Sequence, residues 1–293
     1  MMPEKTRMIG VLDELYSRLR SCNLCPRSCN VDRIAGKLGF CKAGKQASIS
    51  FTQHFGEEPV LVGKGGSGTI FFSGCNLSCV YCQNYEISQL KQGKSVGEDE
   101  LASIMLELQD HGCHNINLVS PTPHVPAIVK SLGIAARAGL KIPIVYNTGT
   151  YDSVDVLMLL EGLVDIYMPD AKYADSAAAE KYSAVPGYPE VMKACLREMH
   201  RQVGDLAVDK HGIAKKGLLV RHLVLPRDLA GSKQIFEFLA NEISENTFVN
   251  VMAQYRPCYK AHSHAELSRP LTGEEHREAV FLAKEAGLKS VHY

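Results

Sequence analysis

The sequence lacks the features of a membrane protein, a repeat protein or a polyanion-binding protein. Lysine plus arginine and aspartate plus glutamate number 32 each, so the formal net charge is zero, and no overall basic surface for nucleic acid is expected. No apolar run approaches the ~18 residues of a membrane span, and the charged, amphipathic N-terminus carries no secretory signal sequence. We therefore expect a cytoplasmic protein without a membrane partner, and we do not expect a nucleic-acid partner.

The chain is long enough for a substantial hydrophobic core. Its 293 residues, 45% hydrophobic and 22% charged, suit one large α/β domain or two ordinary ones. Apolar strand-like runs alternate with amphipathic helical patterns, at 69–73, 116–120, 143–147, 165–170, 218–225 and 248–252. Six such strands predict a parallel sheet with helical crossovers, open or closed into a barrel, with the functional residues at the carboxyl ends of the strands. The last helix is predicted to begin at a capping box, Thr272 and Glu275, and to end at Gly287.

Ten cysteines are the most informative part of the composition, and seven of them fall in the first 82 residues. In a reducing compartment, clustered thiols more often hold metal than form disulfides. Cys75, Cys79 and Cys82 follow the first predicted core strand with C-x3-C-x2-C spacing. Three thiolates from one loop can ligate three irons of a 4Fe–4S cluster and leave the fourth iron for a substrate or cofactor, whereas electron-transfer clusters usually have a fourth cysteine. A structural zinc knuckle is the alternative for this motif.

This cysteine spacing, with Tyr81 just before the last thiol, resembles that of the radical S-adenosylmethionine (SAM) superfamily. The resemblance covers about residues 66–260 and implies an α/β fold, a partial (β/α)6 barrel, with a 4Fe–4S cluster and SAM as cofactors. It implies that SAM chelates the free iron and that one-electron reduction cleaves SAM to methionine and a 5′-deoxyadenosyl radical, which abstracts hydrogen from a substrate. An electron donor such as flavodoxin or ferredoxin is the implied reductant.

Within that superfamily, the chain resembles the PflX-type homologues of pyruvate formate-lyase activating enzyme. The closer likeness lies in six segments, 22–27 (CNLCPR), 39–41 (GFC), 82–85 (CQNY), 146–149 (YNTG), 169–172 (PDAK) and 252–257 (MAQYRP). It implies a glycyl radical enzyme as partner, activated by hydrogen abstraction from a backbone glycine. We expect an N-terminal helix and cysteine-rich, metal-binding extension over residues 1–63, followed by a radical SAM core with a C-terminal helix over residues 64–293.

The resemblance also suggests residues that hold SAM. Asp170 and Lys172 resemble an Asp-x-Lys motif of activating enzymes, and alternate residues of an extended chain point the same way. Both should face the barrel mouth, with Lys172 pairing with the SAM carboxylate; a surface ion pair is the alternative. Arg221 lies within an apolar strand, needs a partner, and is expected to face inward, toward SAM. His222 then lies on the opposite face in a structural role.

Other candidates stand where further strands end. Activating enzymes usually have a Gly-Gly-Glu-like turn after the second strand, where this chain has SPTPH over residues 120–124, so that Ser120 or Thr122 would supply an oxygen instead. Strand-end residues of this kind alternatively satisfy only their own turns. The full set of candidate cofactor-binding residues is Tyr81, Ser120, Thr122, Asn147, Thr148, Asp170, Lys172, Arg221 and Gln254.

A second group of cysteines precedes the core, with C-x2-C-x3-C-x11-C spacing: Cys22, Cys25, Cys29 and Cys41. Four thiols this close in sequence can form a closed zinc site or an iron–sulfur cluster with every ligand from cysteine. A zinc ion that organises the segment, an auxiliary cluster that relays electrons and buried free thiols all remain open, because both metals favour this ligand set.

Two classes of function follow from the sequence. The first is an enzyme that cleaves SAM and takes hydrogen from a glycyl residue of a partner enzyme, or from a small molecule, a peptide or an RNA base. The second is a non-catalytic zinc or iron–sulfur interaction module. The Asp-x-Lys motif and the three-cysteine spacing favour the enzyme.

Overall fold

The computed structural model describes residues 4–293, with side chains from residue 9 onward. The strands are β1 (Ala47–His54), β2 (Ser67–Phe72), β3 (Lys94–Val96), β4 (Ile116–Val119), β5 (Ile144–Thr148), β6 (Ile166–Pro169), β7 (Ala207–Val208), β8 (Ala214–Leu223), β9 (Phe248–Met252) and β10 (Ser290–His292). The α-helices are α1 (Glu4–Ser17), α2 (Pro59–Val62), α3 (Tyr85–Ser88), α4 (Glu98–Asp110), α5 (Val125–Arg137), α6 (Val154–Leu159), α7 (Ser176–Ser183), α8 (Tyr188–Val203), α9 (Ser232–Phe238) and α10 (Gly273–Glu285).

A parallel sheet forms the centre of the molecule. The strand order is β10-β9-β8-β6-β5-β4-β2-β1-β3, with β7 paired to β8, and every pairing from β10 through β2 is parallel. The strands β2, β4, β5, β6, β8 and β9 coincide with the six predicted apolar runs, which are apolar because helices cover parallel sheets. The two ends of the sheet do not pair, so the sheet curves without closing. The prediction of an α/β fold with a partial barrel is confirmed.

Two antiparallel strands extend the sheet beyond β2. Strand β1 pairs with β2, placing Ile49 opposite Phe72, and β3 pairs with the other edge of β1. Neither strand is evident from the sequence. Strand β1 mixes serine and threonine with apolar residues and leaves Phe51 41% exposed. The sheet therefore reaches back to residue 47, into the stretch assigned above to the N-terminal extension.

Helices pack on the outside of the sheet and fix its curvature. The apolar stripes of α4 and α5 bury Met105 and Val129, and α8 buries Met192 and Met199. Helix α10 begins at the predicted capping box, in which Thr272 and Glu275 bond to each other's backbone N–H groups, and the chain turns at Gly287 with φ of 93°. None of the helices within residues 4–293 has the length and apolar character needed to cross a membrane.

Candidate functional site

The carboxyl ends of the parallel strands meet around one pocket with a volume of about 200 Å³. The three cysteines of the loop after β2, Cys75, Cys79 and Cys82, line one side of it. No fourth cysteine of the described chain belongs to this lining. Polar residues from the ends of β4, β5, β6 and β8 line the opposite side: Ser120, Asn147, Thr148, Asp170, Lys172 and Arg221.

The cysteine loop has a shape that only glycine permits at its first turn. Gly74 has φ of +86°, and a Cβ atom there would lie 2.5 Å from the carbonyl oxygen of Cys41, so the turn requires a residue without a side chain. The three sulfurs have hydrogen-bond partners. The Leu77 N–H donates to Cys75 Sγ at 3.4 Å, the Ser183 hydroxyl to Cys79 Sγ at 2.9 Å, and Cys82 Sγ lies 3.2 Å from Ser88 Oγ.

This donor set fits a 4Fe–4S cluster. Within the described chain no three His, Cys, Asp or Glu side chains surround one point as the ligands of a single ion do. A cubane makes no such demand, because each of its thiolate ligands bonds a different iron. N–H and O–H donors to the sulfurs are a common device for stabilising the charge of a cluster. Cys75, Cys79 and Cys82 are therefore the residues that would hold it.

Asp170 and Lys172 point into the pocket from the end of β6. Lys172 Nζ donates to Asp170 Oδ2 at 2.7 Å, and the side chains are only 15% and 16% exposed. Burial alone would lower the pKa of Lys172, but the charge of Asp170 outweighs it and raises that pKa. For Asp170, burial alone would raise the pKa, but the charges of Arg221 and Lys172 outweigh burial and lower that pKa. Both side chains remain charged, and this pair lies at the pocket rather than on the outer surface.

Arg221 faces the inside of the sheet, as expected, and each of its three nitrogens donates to a protein group. Its Nε donates to Asp170 Oδ1 at 2.9 Å, its Nη1 to Glu57 Oε1 at 3.0 Å, and its Nη2 to Asn147 Oδ1 at 2.9 Å. Arg221 therefore acts on the pocket through Asp170 and Asn147. His222 lies on the opposite face, fully buried between the Ala171 carbonyl and the Ser232 hydroxyl, in the predicted structural role.

Thr122 differs from the expectation, because its side chain points away from the pocket lining. Its hydroxyl donates to Asp152 Oδ1 at 2.7 Å, and the same carboxylate accepts from Thr148 Oγ1 at 2.7 Å and Tyr146 OH at 2.9 Å. Asp152 is a buried carboxyl group whose hydrogen bonds come from these three hydroxyls, as a buried polar group requires. Thr122 is therefore a structural hydrogen-bond donor, and Thr148 lines the pocket with its hydroxyl already engaged.

The remaining candidates line the pocket. Ser120 has a left-handed backbone, with φ of 56°, and its N–H donates to the Asn147 carbonyl at 2.9 Å. Tyr81 shares a 2.6 Å hydrogen bond with Tyr173 between their hydroxyls, so its ring forms part of the pocket wall. Gln254 stands at the rim, where its backbone carbonyl accepts from Gln83 Nε2 at 3.2 Å.

The segment after β9 lies against the cysteine loop. Besides the Gln83–Gln254 contact, the rings of Tyr85 and Tyr259 stack with centroids 4.9 Å apart. The Lys260 N–H donates to the Val80 carbonyl at 2.8 Å. These contacts connect the loop after β2 with the segment after β9, although the two strands do not pair in the sheet.

The four N-terminal cysteines lie together around a narrow cavity behind the cysteine loop. This cavity is lined by Cys22, Cys25, Cys29 and Cys41 together with Asn76 and Arg33. Left-handed residues Ser28 and Lys42 turn the chain between the thiols, and the Phe40 N–H donates to Cys29 Sγ at 3.5 Å. Glu57 and Asn76 also belong to the two sites, although neither is evident from the sequence. Their partners lie up to 164 residues away, and neither residue belongs to a recognisable spacing.

The comparisons with known proteins agree with this geometry. Residues 69–209 match the family model of the radical SAM superfamily. The uncharacterized protein MJ0674 of Methanocaldococcus jannaschii is 35% identical over 283 residues, covering 93% of this chain and 77% of the relative. The chain contains a radical SAM superfamily domain. Members of this superfamily use a 4Fe–4S cluster and SAM.

Several solved structures share the fold at low identity. A radical SAM methyltransferase from Sphaerobacter thermophilus is 13% identical with a TM-score of 0.53, over 77% of this chain and 66% of that one. The FeFe-hydrogenase maturase HydG from Carboxydothermus hydrogenoformans is 11% identical, with a TM-score of 0.53 over 77% of this chain and 52% of that one. SuiB from Streptococcus suis, bound to S-adenosylmethionine, is 12% identical, with a TM-score of 0.51 over 72% of this chain and 44% of that one. This radical SAM chain covers less than two thirds of each of those structures.

Proposed function

We propose that this protein cleaves SAM reductively at a 4Fe–4S cluster and uses the resulting 5′-deoxyadenosyl radical to abstract hydrogen from a substrate. When bound, the cluster supplies the electron that breaks the sulfonium C–S bond. The observation that carries the proposal is the shared pocket: three cysteines from one loop line it together with Asp170 and Lys172.

The chain's own residues have separate tasks in this proposal. Cys75, Cys79 and Cys82 hold the cluster, and Lys172 pairs with the SAM carboxylate. The Lys172 ammonium has three donors, and among the described residues only Asp170 accepts one of them, so donors remain for a ligand. Arg221 is a positioning residue, because it acts through Asp170. Apolar side chains of the lining, Leu77, Leu223 and Met252, exclude water from the reacting groups.

The test is anaerobic reconstitution with iron and sulfide, followed by dithionite, SAM and an assay for 5′-deoxyadenosine. The Cys79→Ala variant should release none, because one cluster ligand is missing. Cys113→Ala is the matched control: Cys113 is also buried but lies outside the pocket, and its variant should cleave SAM like the parent. Nucleoside formation by Cys79→Ala would refute the ligand assignment, and none from the reconstituted parent would favour a non-catalytic module.

We also propose that the hydrogen comes from a glycyl residue of a partner protein, as in pyruvate formate-lyase activating enzymes. The rim supports this, because Gln83, Asn84 and Gln254 are exposed and leave the pocket accessible to a protein loop. Extracts of cells grown on Cα-deuterated glycine provide the test. Deuterium should pass into 5′-deoxyadenosine from the protein fraction. Transfer from the small-molecule ultrafiltrate instead would assign a metabolite substrate.

A second metal site completes the proposal. Cys22, Cys25, Cys29 and Cys41 would form a closed site, since four thiols line one cavity and no ligand position is left open. Both sites require the reducing cytoplasm, where flavodoxin or ferredoxin supplies low-potential electrons.

A further inference from the structure

Positive charge is concentrated in the cysteine-rich segment. Residues 18–45 contain seven basic residues and one acidic residue, Asp32, although the whole chain has 32 of each sign. The basic residues are Arg18, Arg20, Arg27, Arg33, Lys37, Lys42 and Lys45. Such a local excess creates a field that attracts negatively charged partners and raises their association rate.

Four of these cations are exposed, and we call them the basic rim: Arg20, Lys37, Lys42 and Lys45. Within the described part of the chain, none of the four belongs to an ion pair. Leu38 and Phe40 stand between them and are 49% and 40% exposed. Exposed apolar and aromatic side chains can form the core of a protein interface, and unpaired cations around them would steer an acidic partner to it.

The segment is in direct contact with the cysteine loop of the pocket. The carbonyl of Cys41 packs against Gly74, one residue before Cys75. Arg27 Nε donates to the Asn76 carbonyl at 2.6 Å. Asn76 lines the cavity of the N-terminal thiols, and its Oδ1 lies 4.0 Å from Cys75 Sγ. One asparagine therefore lies between the two sites.

Arg33 is a buried cation beside the N-terminal thiols. It is 2% exposed; its Nη1 lies 3.8 Å from Cys22 Sγ, its Nη2 donates to the Gly44 carbonyl, and its Nε has no partner among the described residues. No carboxylate pairs with it in the described chain. A buried guanidinium needs a compensating anion, and four metal-bound thiolates supply it. The cation would also stabilise an additional negative charge when the metal centre is reduced.

From these contacts we infer that the N-terminal cysteines bind an iron–sulfur cluster that passes electrons to the site of Cys75, Cys79 and Cys82, and that the basic rim docks an acidic one-electron carrier protein. The inference rests on the proposed SAM cleavage. Each transfer moves one electron, with no proton and no bond change. The reduced carrier is oxidised by one electron, the N-terminal cluster passes that electron on, and the cluster at the pocket is reduced by one.

The first test identifies the metal without using activity. A variant with Cys75, Cys79 and Cys82 all changed to alanine retains only the N-terminal ligands. After anaerobic reconstitution it should bind iron and acid-labile sulfide in equal amounts and give an EPR signal on reduction. Zinc in place of iron, or a cluster that no low-potential reductant reduces, would overturn the inference.

The second test separates docking from chemistry. In the holoenzyme, Lys37→Glu/Lys42→Glu should weaken binding of an acidic ferredoxin about tenfold and slow ferredoxin-driven 5′-deoxyadenosine formation to a similar extent. Dithionite-driven formation should not change. The control Lys141→Glu/Lys210→Glu makes the same charge change at exposed lysines before β5 and β8, away from the rim, and should have no effect.

The outcomes are distinguishable. If the parent enzyme forms no 5′-deoxyadenosine even with dithionite as the reductant, the proposed function is wrong. If SAM is cleaved but the rim variant binds and uses ferredoxin like the parent, the docking inference fails. Tight RNA binding lost with the same two lysines, with ferredoxin use unchanged, would reassign the rim to nucleic acid and overturn the inference.

Discussion

Asp170 and Arg221 meet across two neighbouring parallel strands, where Arg221 Nε donates to Asp170 Oδ1 at 2.9 Å. The other oxygen of the carboxylate accepts from Lys172 at 2.7 Å. Asp170 therefore pairs with two cations. Arg221 is held by further protein groups, whereas Lys172 keeps donors that a ligand can use. The strength of the first interaction controls how tightly the second cation is held.

Replacing Arg221 with lysine should weaken SAM binding about tenfold while the cluster stays intact. A lysine cannot make the forked contacts to Glu57, Asp170 and Asn147, so Asp170 would pair more strongly with Lys172 and compete with the SAM carboxylate. Titration of the holoenzyme with SAM, with iron counted in parallel, measures the effect. Arg137→Lys, at an exposed position at the end of α5, should bind SAM like the parent. Unchanged affinity in the Arg221 variant would show that Asp170 does not depend on it.

Glu57→Gln should lower the free energy of unfolding by about 2 kcal/mol, because it removes one of the two carboxylates around a buried guanidinium. The Glu57 side chain is only 12% exposed. Glu100→Gln is the control: its pair with Lys94 is exposed, at 44% and 77%, and should contribute less than about 1 kcal/mol. Urea unfolding of both variants in anaerobic buffer gives the comparison. Equal losses would mean that the buried pair contributes no more than a surface one.

Thr122→Val should destabilise the fold by about 1–3 kcal/mol without changing SAM affinity, because it leaves the buried Asp152 carboxylate with one hydroxyl fewer. Thr52→Val, at an exposed position on β1, is the matched control and should stay within about 0.5 kcal/mol of the parent. The two measurements are urea unfolding and SAM titration. Weakened SAM binding at unchanged stability would return Thr122 to the cofactor site.

His124 should make stability depend on pH. Burial lowers its pKa to about 4, below the ~6.5 of an unfolded histidine, so the unfolded chain takes up the proton first as the pH falls. This contribution is fully present above pH ~6.5 and is lost as the pH falls toward 4. Between pH 7.5 and 5.5 the loss is roughly 1.3 kcal/mol. His124→Gln should reduce the pH dependence of the free energy of unfolding, measured with urea, by that amount. An identical pH dependence in both proteins would assign the proton uptake to another residue.

The sequence was sufficient for the parts of the fold that depend on local pattern. The six apolar runs became the parallel strands, and Thr272 with Glu275 formed the predicted cap. The alternation of Asp170 and Lys172 placed both in the pocket, since side-chain direction in extended chain has a period of two residues. These features need no knowledge of distant contacts.

The features that the sequence did not reveal depend on long-range partners. Glu57 precedes a short helix and contacts Arg221 only because β8 lies beside it in space. Thr122 and Ser120 looked equivalent, but the buried Asp152 thirty residues later determines where the Thr122 hydroxyl points. Strand β1 has no strong apolar pattern, and its place in the sheet depends on its pairing with β2 and β3. In each case the deciding partner is far along the chain.

The close approach of the Cys41 carbonyl to Gly74 also bears on chemical durability. The N-terminal segment covers the back of the loop that presents Cys75, and it leaves no space there for even a methyl group. A chain truncated before β1 would present that face to solvent. Dioxygen would then reach the thiolates from behind, so the truncated protein should lose its iron in air sooner than the intact chain.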